Sequence, residues 1–194
     1  MMTNDDVLTI FQQTGALLNG HFILTSGLHS TQYFQCAKVL QHPQYAEKLC
    51  SEIAAHYQNR NVQSVIAPAI GGIIVAHEVA RALGVRSLFA ERENGRMALR
   101  RNFAIQRDET ILVVEDVITT GGSVKEVIEL VLALGATPVG VGCIVDRSGG
   151  SAQFGLDFFS VMQLQIETFQ PDDPAVKNLG PASKPGSRGL QKNG

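Results

Sequence analysis

Two adjacent carboxylates, Glu115 and Asp116, stand in the middle of the chain, directly after a run of four apolar residues at 111–114. A short run of mostly β-branched residues between polar segments is typical of a buried parallel strand. Carboxylates at the end of such a strand would repel a phosphate, but they suit ribose hydroxyls or a hydrated magnesium ion. These residue types therefore predict an acidic site at the carboxyl edge of a parallel sheet, where such sheets bind ligands.

The next residues are small and hydroxylated, and we call residues 119–123 the phosphate cradle. They are Thr119, Thr120, Gly121, Gly122 and Ser123. The glycines allow a tight turn that exposes backbone N–H groups, the hydroxyls add donors, and the following helix contributes positive potential at its N-terminus. The apolar face predicted for that helix comprises Val124, Val127, Ile128, Val131 and Leu134. The alternative is an ordinary strand, turn and helix, in which the glycines only allow close packing.

A second strand, loop and helix precedes this one in the chain. Residues 65–67 are predicted as a strand and residues 73–83 as a helix that Gly84 closes. The loop between them, residues 68–72, contains Ala69, Ile70 and Gly71 and is called the second loop below. It is either a plain crossover or a second set of backbone donors at the same sheet edge.

The most polar interior stretch, residues 91–102, is called the arginine segment. It contains four arginines around Gly95, namely Arg92, Arg96, Arg100 and Arg101. Arginine pairs bidentately with phosphate, so this segment could close over phosphates as a mobile loop. A solvated surface hairpin is an equally good interpretation of the composition.

The remaining pattern predicts the elements that would position these groups. An N-terminal helix carries Val7, Ile10 and Phe11 on one side, and a helix opened by Pro43 follows a hairpin with strands at 21–25 and 31–37. Further strands are predicted at 86–90, at 139–145, and at 158–164. This alternation predicts an α/β fold with a mostly parallel sheet flanked by helices.

Composition narrows the class of protein. The 194 residues are 44% hydrophobic with a net charge of −2, which favours one domain over residues 1–170 with a proline-rich irregular tail at 171–194. No broad basic surface or membrane-spanning run is evident, so neither nucleic acid nor membrane is an expected partner. Three scattered cysteines indicate free thiols in a reducing compartment, which predicts a cytoplasmic protein.

The stretch from Glu115 to Ser123, Glu-Asp-Val-Ile-Thr-Thr-Gly-Gly-Ser, resembles the signature of type I phosphoribosyltransferases, which bind phosphoribosyl pyrophosphate. The resemblance implies a family core with a small hood, built largely from residues 1–40 and neighbouring pieces. It implies that the acidic pair contacts the ribose and that the cradle, with Val117 and Ile118 beside it, holds the 5-phosphate. The second loop, with Ala69, Ile70 and Gly71, would bind pyrophosphate.

The N-terminal hairpin narrows the resemblance from the whole family to one branch of it. The hood segment of the orotate-specific branch of that family is similar to Phe22-x-Leu24-x-Ser26-Gly27, with Ser30, Tyr33 and Phe34 following. The resemblance implies transfer of phosphoribose to orotate in pyrimidine synthesis, with Arg147 binding the orotate carboxylate and with Ser26 and Thr119 also contacting the base. A relative acting on another base, or a non-catalytic phosphoribosyl pyrophosphate sensor, are the alternatives.

The resemblance also implies a catalytic set, a metal and an assembly. Glu115, Asp116, Arg92 and Arg96 would be catalytic, and Mg²⁺ would be held mainly by the substrate rather than by protein ligands. The protein would be a homodimer with a shared active site, into which the arginine segment of the neighbouring subunit reaches. This segment departs from the better-known pattern because it has neither lysine nor histidine, and arginine is a poor proton donor.

Overall fold

A six-stranded sheet forms the centre of the molecule in the computed structural model, which describes residues 2–24 and 27–184. Its strands, in chain order, are β3 (Ser64–Pro68), β4 (Arg86–Glu93), β5 (Arg96–Leu99), β6 (Thr110–Ile118), β7 (Thr137–Asp146) and β8 (Phe158–Gln163). The spatial order is β5-β4-β3-β6-β7-β8, and only β5 runs antiparallel to its neighbour. The predicted mostly parallel α/β sheet is therefore confirmed.

Helices cover both faces of this sheet because its central strands are apolar on both sides. One face packs against α1 (Asn4–Gln13), α2 (Ala37–Leu40), α3 (Pro43–Tyr57) and α4 (Gly72–Leu83), and the other against α5 (Gly122–Ala133). On β6, Leu112 and Val114 face the first group, whereas Ile111 and Val113 face α5. This double burial explains why residues 111–114 form a continuous apolar run.

Helix α3 approaches β7 closely because that strand carries glycine where the helix packs. A Cβ atom at Gly142 would lie 2.5 Å from Cγ2 of Ile53. The Tyr57 hydroxyl donates to the carbonyl of Val141 at 2.8 Å, which fixes the end of the helix on the strand. The helix opened by Pro43 is confirmed, and Leu49, Ile53 and Tyr57 on its inner side are fully buried.

A separate antiparallel sheet forms the hood. It consists of β1 (Leu17–Ile23), β2 (His29–Phe34) and β9 (Thr168–Phe169), in the order β1-β2-β9. The N-terminal hairpin is confirmed, but its predicted bounds are wrong, since β1 begins at Leu17 and β2 already includes His29. The third strand comes from far along the chain, which local sequence patterns cannot indicate.

The region assigned to an irregular tail contributes to the same hood. A 3-10 helix spans Pro174–Asn178, and Ser183 forms an isolated bridge with Phe22 of β1. The His21 Nδ1–H donates to the carbonyl of Gly180 at 2.7 Å. The tail is therefore docked as far as the structure describes it.

No helix within the described ranges is both long and apolar enough to cross a bilayer.

Candidate active site

The acidic pair lies inside β6 rather than after it. The strand runs on to Ile118, because residues 117 and 118 continue the pairing with β7. The predicted strand end at residue 114 is therefore wrong. The N–H of Val117 donates to the Asp116 carboxylate at 2.8 Å, and the N–H of Asp116 donates to Glu115 at 3.1 Å.

The two carboxyl groups perturb each other. Removal from water raises the pKa of Glu115 well above its usual value, and the neighbouring charge of Asp116 raises it further. Burial also raises the pKa of Asp116, although the N–H of Val117 opposes the shift. A ligand that supplies hydroxyl donors or positive charge would relieve this repulsion, so the pair has the electrostatics of a binding site.

Replacing Glu115 with Gln should stabilise the free protein at alkaline pH. A carboxyl whose pKa is raised by folding contributes stability below its unfolded pKa, near 4.5, and loses it as pH rises through the folded value. We therefore expect the melting temperature of Glu115→Gln to exceed that of the wild type at pH 8, by about 2–4 °C per kcal/mol relieved. The advantage should vanish towards pH 4. Scanning calorimetry across this range tests it, with exposed Glu129→Gln as control, and an advantage independent of pH would contradict it.

The phosphate cradle is open and its donors are free. Gly121 adopts a left-handed conformation, φ 74°, immediately before α5, and no side chain caps that helix. The first N–H groups of a helix have no intrahelical partner, so they point at whatever binds there. None of the hydroxyls of Thr119, Thr120 and Ser123 hydrogen-bonds to another described residue. A concavity of about 70 Å³ is lined by Glu115 and residues 117–124.

The helix after the cradle differs from its prediction in one residue. Val124, Val127, Ile128 and Val131 are buried as expected. Leu134 lies beyond the last helical turn and is 41% exposed. Its predicted place on the apolar face is therefore wrong.

The second loop lies against the acidic pair. A Cβ atom at Gly71 would come within 2.7–2.8 Å of the Asp116 carboxyl atoms, so only glycine fits there. At Gly72, a Cβ atom would lie 3.0 Å from Oε1 of Glu115. Gly71 is exposed, Ile70 is 84% exposed, and the Ala69–Ile70 peptide bond is cis. The fold thus brings together the acidic pair and the loop predicted to bind pyrophosphate.

Arg147 lies at the end of β7, beside the cradle. Its N–H donates to the carbonyl of Ile118 at 2.8 Å, which places it next to Thr119. Its Nε–H is buried and has no acceptor within the described part of the chain. Burial lowers the pKa of the Arg147 guanidinium, and Tyr33 of the hood partly opposes this shift. A buried donor without an acceptor is costly unless a ligand supplies one.

The arginine segment forms a surface hairpin, as the second interpretation of its composition expected. Strands β4 and β5 pair through Glu93 and Arg96, with Asn94 and Gly95 in the turn. Arg92 donates bidentately to Glu126 of α5 at 2.7 and 2.8 Å, so its own chain occupies it. The Arg96 side chain is exposed and forms no hydrogen bond or ion pair with a residue in the described ranges. The catalytic roles of Arg92 and Arg96 stay predictions.

Ser26, predicted to contact the base, lies outside the described residues. Ala152 and Phe154 lie beside the site and were not predicted, whereas Tyr33 belongs to the predicted hood segment. The Phe154 ring packs on Gly121 across 33 positions of sequence, and no local pattern indicates such a contact.

The acidic pair lies between two glycine-containing loops at one edge of the sheet, an arrangement that suits a sugar phosphate. The comparison with family models agrees, because the model described as "Phosphoribosyl transferase domain" matches residues 36–168. The chain therefore belongs to the phosphoribosyltransferase family, and the fold expected from the cradle motif is confirmed.

The named relatives are orotate phosphoribosyltransferases. The chain is 58% identical to that of Desulforamulus reducens over 188 residues, which covers 96% of this chain and 98% of the relative. It is 57% identical to that of Pelotomaculum thermopropionicum, covering 96% and 99%. Among solved structures, that of orotate phosphoribosyltransferase from Aeropyrum pernix superposes with a TM-score of 0.70 at 26% identity, over 81% of this chain and 93% of that one.

Proposed function

We propose that the protein transfers phosphoribose from 5-phosphoribosyl 1-pyrophosphate to orotate, forming orotidine 5′-monophosphate and pyrophosphate in pyrimidine synthesis. The observation that carries the proposal is the contact of Gly71 with Asp116, since it unites the acidic pair with the second loop at one sheet edge. The relatives named above share this activity by name at 57–58% identity. The family assignment alone leaves the base open.

The acidic pair holds the ribose. In this reaction the bond from the ribosyl carbon to pyrophosphate breaks with its electron pair going to the leaving oxygen, and positive charge develops on the sugar. Glu115 and Asp116 accept hydrogen bonds from the ribose hydroxyls and stabilise that charge. The cradle donors bind the 5-phosphate, which fixes the sugar relative to the pair.

Pyrophosphate binds through the backbone N–H groups of Ile70 and Gly71 in the second loop, which carries no lysine. The N–H of Ala69 donates to the carbonyl of Ala90 at 2.8 Å, so it does not serve as a donor to pyrophosphate. The expected cofactor is Mg²⁺, which supplies neutralisation of the charge on pyrophosphate when bound. The adjacent carboxylates fit this ion, because Mg²⁺ is usually held by one or two carboxylates together with substrate phosphates. No cluster of three metal-binding side chains occurs in the described ranges.

Arg147 selects orotate. Its unpartnered Nε–H and the adjacent Nη groups match a planar carboxylate, which would accept the hydrogen bonds that the protein leaves unmade. Thr119 lies next to it, and the hood, with Tyr33, faces it. The ring nitrogen of orotate ionises readily, so it attacks the ribosyl carbon without a strong protein base.

The test is turnover with purified protein, Mg²⁺, phosphoribosyl pyrophosphate and orotate. We expect loss of orotate absorbance matched by release of pyrophosphate. Adenine and uracil serve as competing bases, and neither should be consumed at a comparable rate. Consumption of another base in preference to orotate would contradict the proposed substrate. Binding of phosphoribosyl pyrophosphate without turnover would favour a sensor.

We further propose a homodimer with a shared active site. The support is that apolar Ile70 and Ile74 are 84% and 43% exposed beside the site, while Arg96 has no partner within the described part of its own chain. An arginine free in its own chain is available to pyrophosphate bound by a second copy.

Mixed dimers of two inactive variants should regain activity. Asp116→Asn disables the acidic pair of a site. Arg96→Ala removes the arginine that the neighbouring subunit would supply to that site. Random pairing makes half of the dimers mixed, each with one intact site, so about a quarter of wild-type activity is expected. Co-expression with two affinity tags provides the mixture. Pairing Asp116→Asn with the double variant is the control, and full activity of Arg96→Ala alone would contradict the sharing.

The expected compartment is the cytoplasm. The three cysteines, Cys36, Cys50 and Cys143, are free and buried. Burial raises the pKa of Cys50 to about 12, and it raises that of the other two as well. Protonated, buried thiols without a disulfide fit a reducing environment.

A further inference from the structure

The phosphate cradle is supported from below by an aromatic ring. A Cβ atom at Gly121 would lie 2.9 Å from both Cε1 and Cζ of Phe154 and 3.6 Å from Cβ of Ala152. Gly121 is therefore needed for two independent reasons, its left-handed φ of 74° and the close approach of the ring. The backbone turn that presents the cradle donors rests directly on Phe154.

Phe154 is half-buried and contacts a second aromatic ring. Its ring packs edge-on against Phe158, the first residue of β8, with centroids 5.1 Å apart and planes at 84°. Ala152, beside it, is buried. The ring of Phe154 therefore links the first residue of β8 to the backbone of the cradle.

The segment that carries Phe154 also begins at the other ligand-binding group. It starts at Arg147, whose N–H is fixed to Ile118, and the N–H of Ser148 donates to Asp146 at 2.8 Å. Residues 147–154 thus run from the arginine that faces the base to the underside of the turn that faces the phosphate. The cradle itself contains no large side chain that could hold its own turn in place.

We infer that Phe154 is a positioning residue for the 5-phosphate, acting through Gly121 without touching the substrate. The inference rests on the proposed function only for the identity of the phosphate. Removing the ring leaves a void under Gly121, so the donor N–H groups lose their fixed geometry. Small errors in the position of binding groups cost affinity or rate by factors of 10 or more.

Calorimetric binding of ribose 5-phosphate measures the cradle directly. We expect Phe154→Ala to weaken this binding about tenfold and to raise KM for phosphoribosyl pyrophosphate to a similar extent. KM for orotate should change less than twofold. Phe154→Leu, which refills most of the void, should restore binding to within about threefold of the wild type.

The matched control is Phe103→Ala. Phe103 is partly buried in the same apolar cluster, and it packs edge-on against Phe89 at 5.2 Å. None of the three atoms nearest a Cβ atom at Gly121 belongs to Phe103. The Phe103→Ala variant should lower the melting temperature as Phe154→Ala does, but it should leave ribose 5-phosphate binding unchanged. Equal loss of binding in both variants, or unchanged binding in Phe154→Ala, would overturn the inference.

A double-mutant cycle covers the case in which Phe154→Ala folds poorly. Gly121→Ala should weaken binding in the wild type through both strain and the clash with the ring. In the Phe154→Leu background the clash is smaller, so the same change should cost less, whereas additive effects would overturn the inference. Wild-type transfer to orotate is assayed in parallel. If ribose 5-phosphate binding depends on Phe154 but the wild type does not consume orotate, the proposed function is refuted and this inference stands.

Discussion

Asp116→Asn should reduce kcat by roughly 10²–10³-fold, the usual cost of removing one preorganised group that stabilises transition-state charge. Asparagine keeps the size of the side chain, so the packing against Gly71 is preserved. It is neutral, however, and it presents N–H donors to ribose hydroxyls that need an acceptor. The loss therefore falls on the step in which the sugar becomes positively charged.

The fold should survive this change. Burial beside Glu115 raises the pKa of Asp116, so a neutral side chain relieves repulsion instead of breaking a favourable ion pair. Steady-state kinetics combined with a melting curve test both statements. Asp157→Asn is the control, since Asp157 precedes β8 and bonds to His56 at 2.9 Å, away from the cradle. Turnover within threefold of the wild type would refute the assignment of Asp116 to the ribose.

Arg147→Ala should raise KM for orotate by roughly 10–100-fold, as expected for hydrogen bonds to a charged group worth about 1.5–3 kcal/mol. KM for phosphoribosyl pyrophosphate should change by less than about threefold, because the cradle and the second loop keep their own donors. The protein spends energy to keep the Arg147 Nε–H buried without an acceptor, and the carboxylate of orotate provides one.

Comparison with a base that lacks the carboxylate isolates this contact. Uracil keeps the pyrimidine ring but not the carboxylate, so the preference for orotate over uracil in kcat/KM should shrink in Arg147→Ala. Arg107→Ala, on the exposed surface, is the control. An equal rise in KM for orotate and for phosphoribosyl pyrophosphate would count against the carboxylate contact. It would indicate a general disturbance of the end of β7.

The parts of the site that are continuous in sequence could be predicted. Glu115 to Ser123 form one strand end, turn and helix start, so residue types and spacing indicate both the structure and the chemistry. The second loop has the same form. Its approach to Asp116 could only be expected in general terms, from the rule that parallel strands end at one edge.

Contacts between distant parts of the chain could not be predicted. The ring of Phe154 under Gly121, the ion pair of Arg92 with Glu126 and the return of β9 to the hood are set by tertiary packing. Strand bounds were missed where polar residues continue a ladder, as Glu115 and Asp116 do in β6. Composition also could not decide between a mobile loop and a hairpin for the arginine segment, because exposed hairpins and flexible loops share the same polar residues.

The third strand of the hood has a consequence for the order in which the protein is made. Ser30 donates its hydroxyl to the carbonyl of Glu167 across 137 positions, and β2 pairs with β9 just beyond it. On the ribosome, strands β3 to β8 can therefore assemble before the hood is complete. A nascent chain released before residue 168 would carry the cradle, the second loop and Arg147 but lack the third strand of the hood. Under the proposed function, we expect the base to be exposed to water in such a fragment.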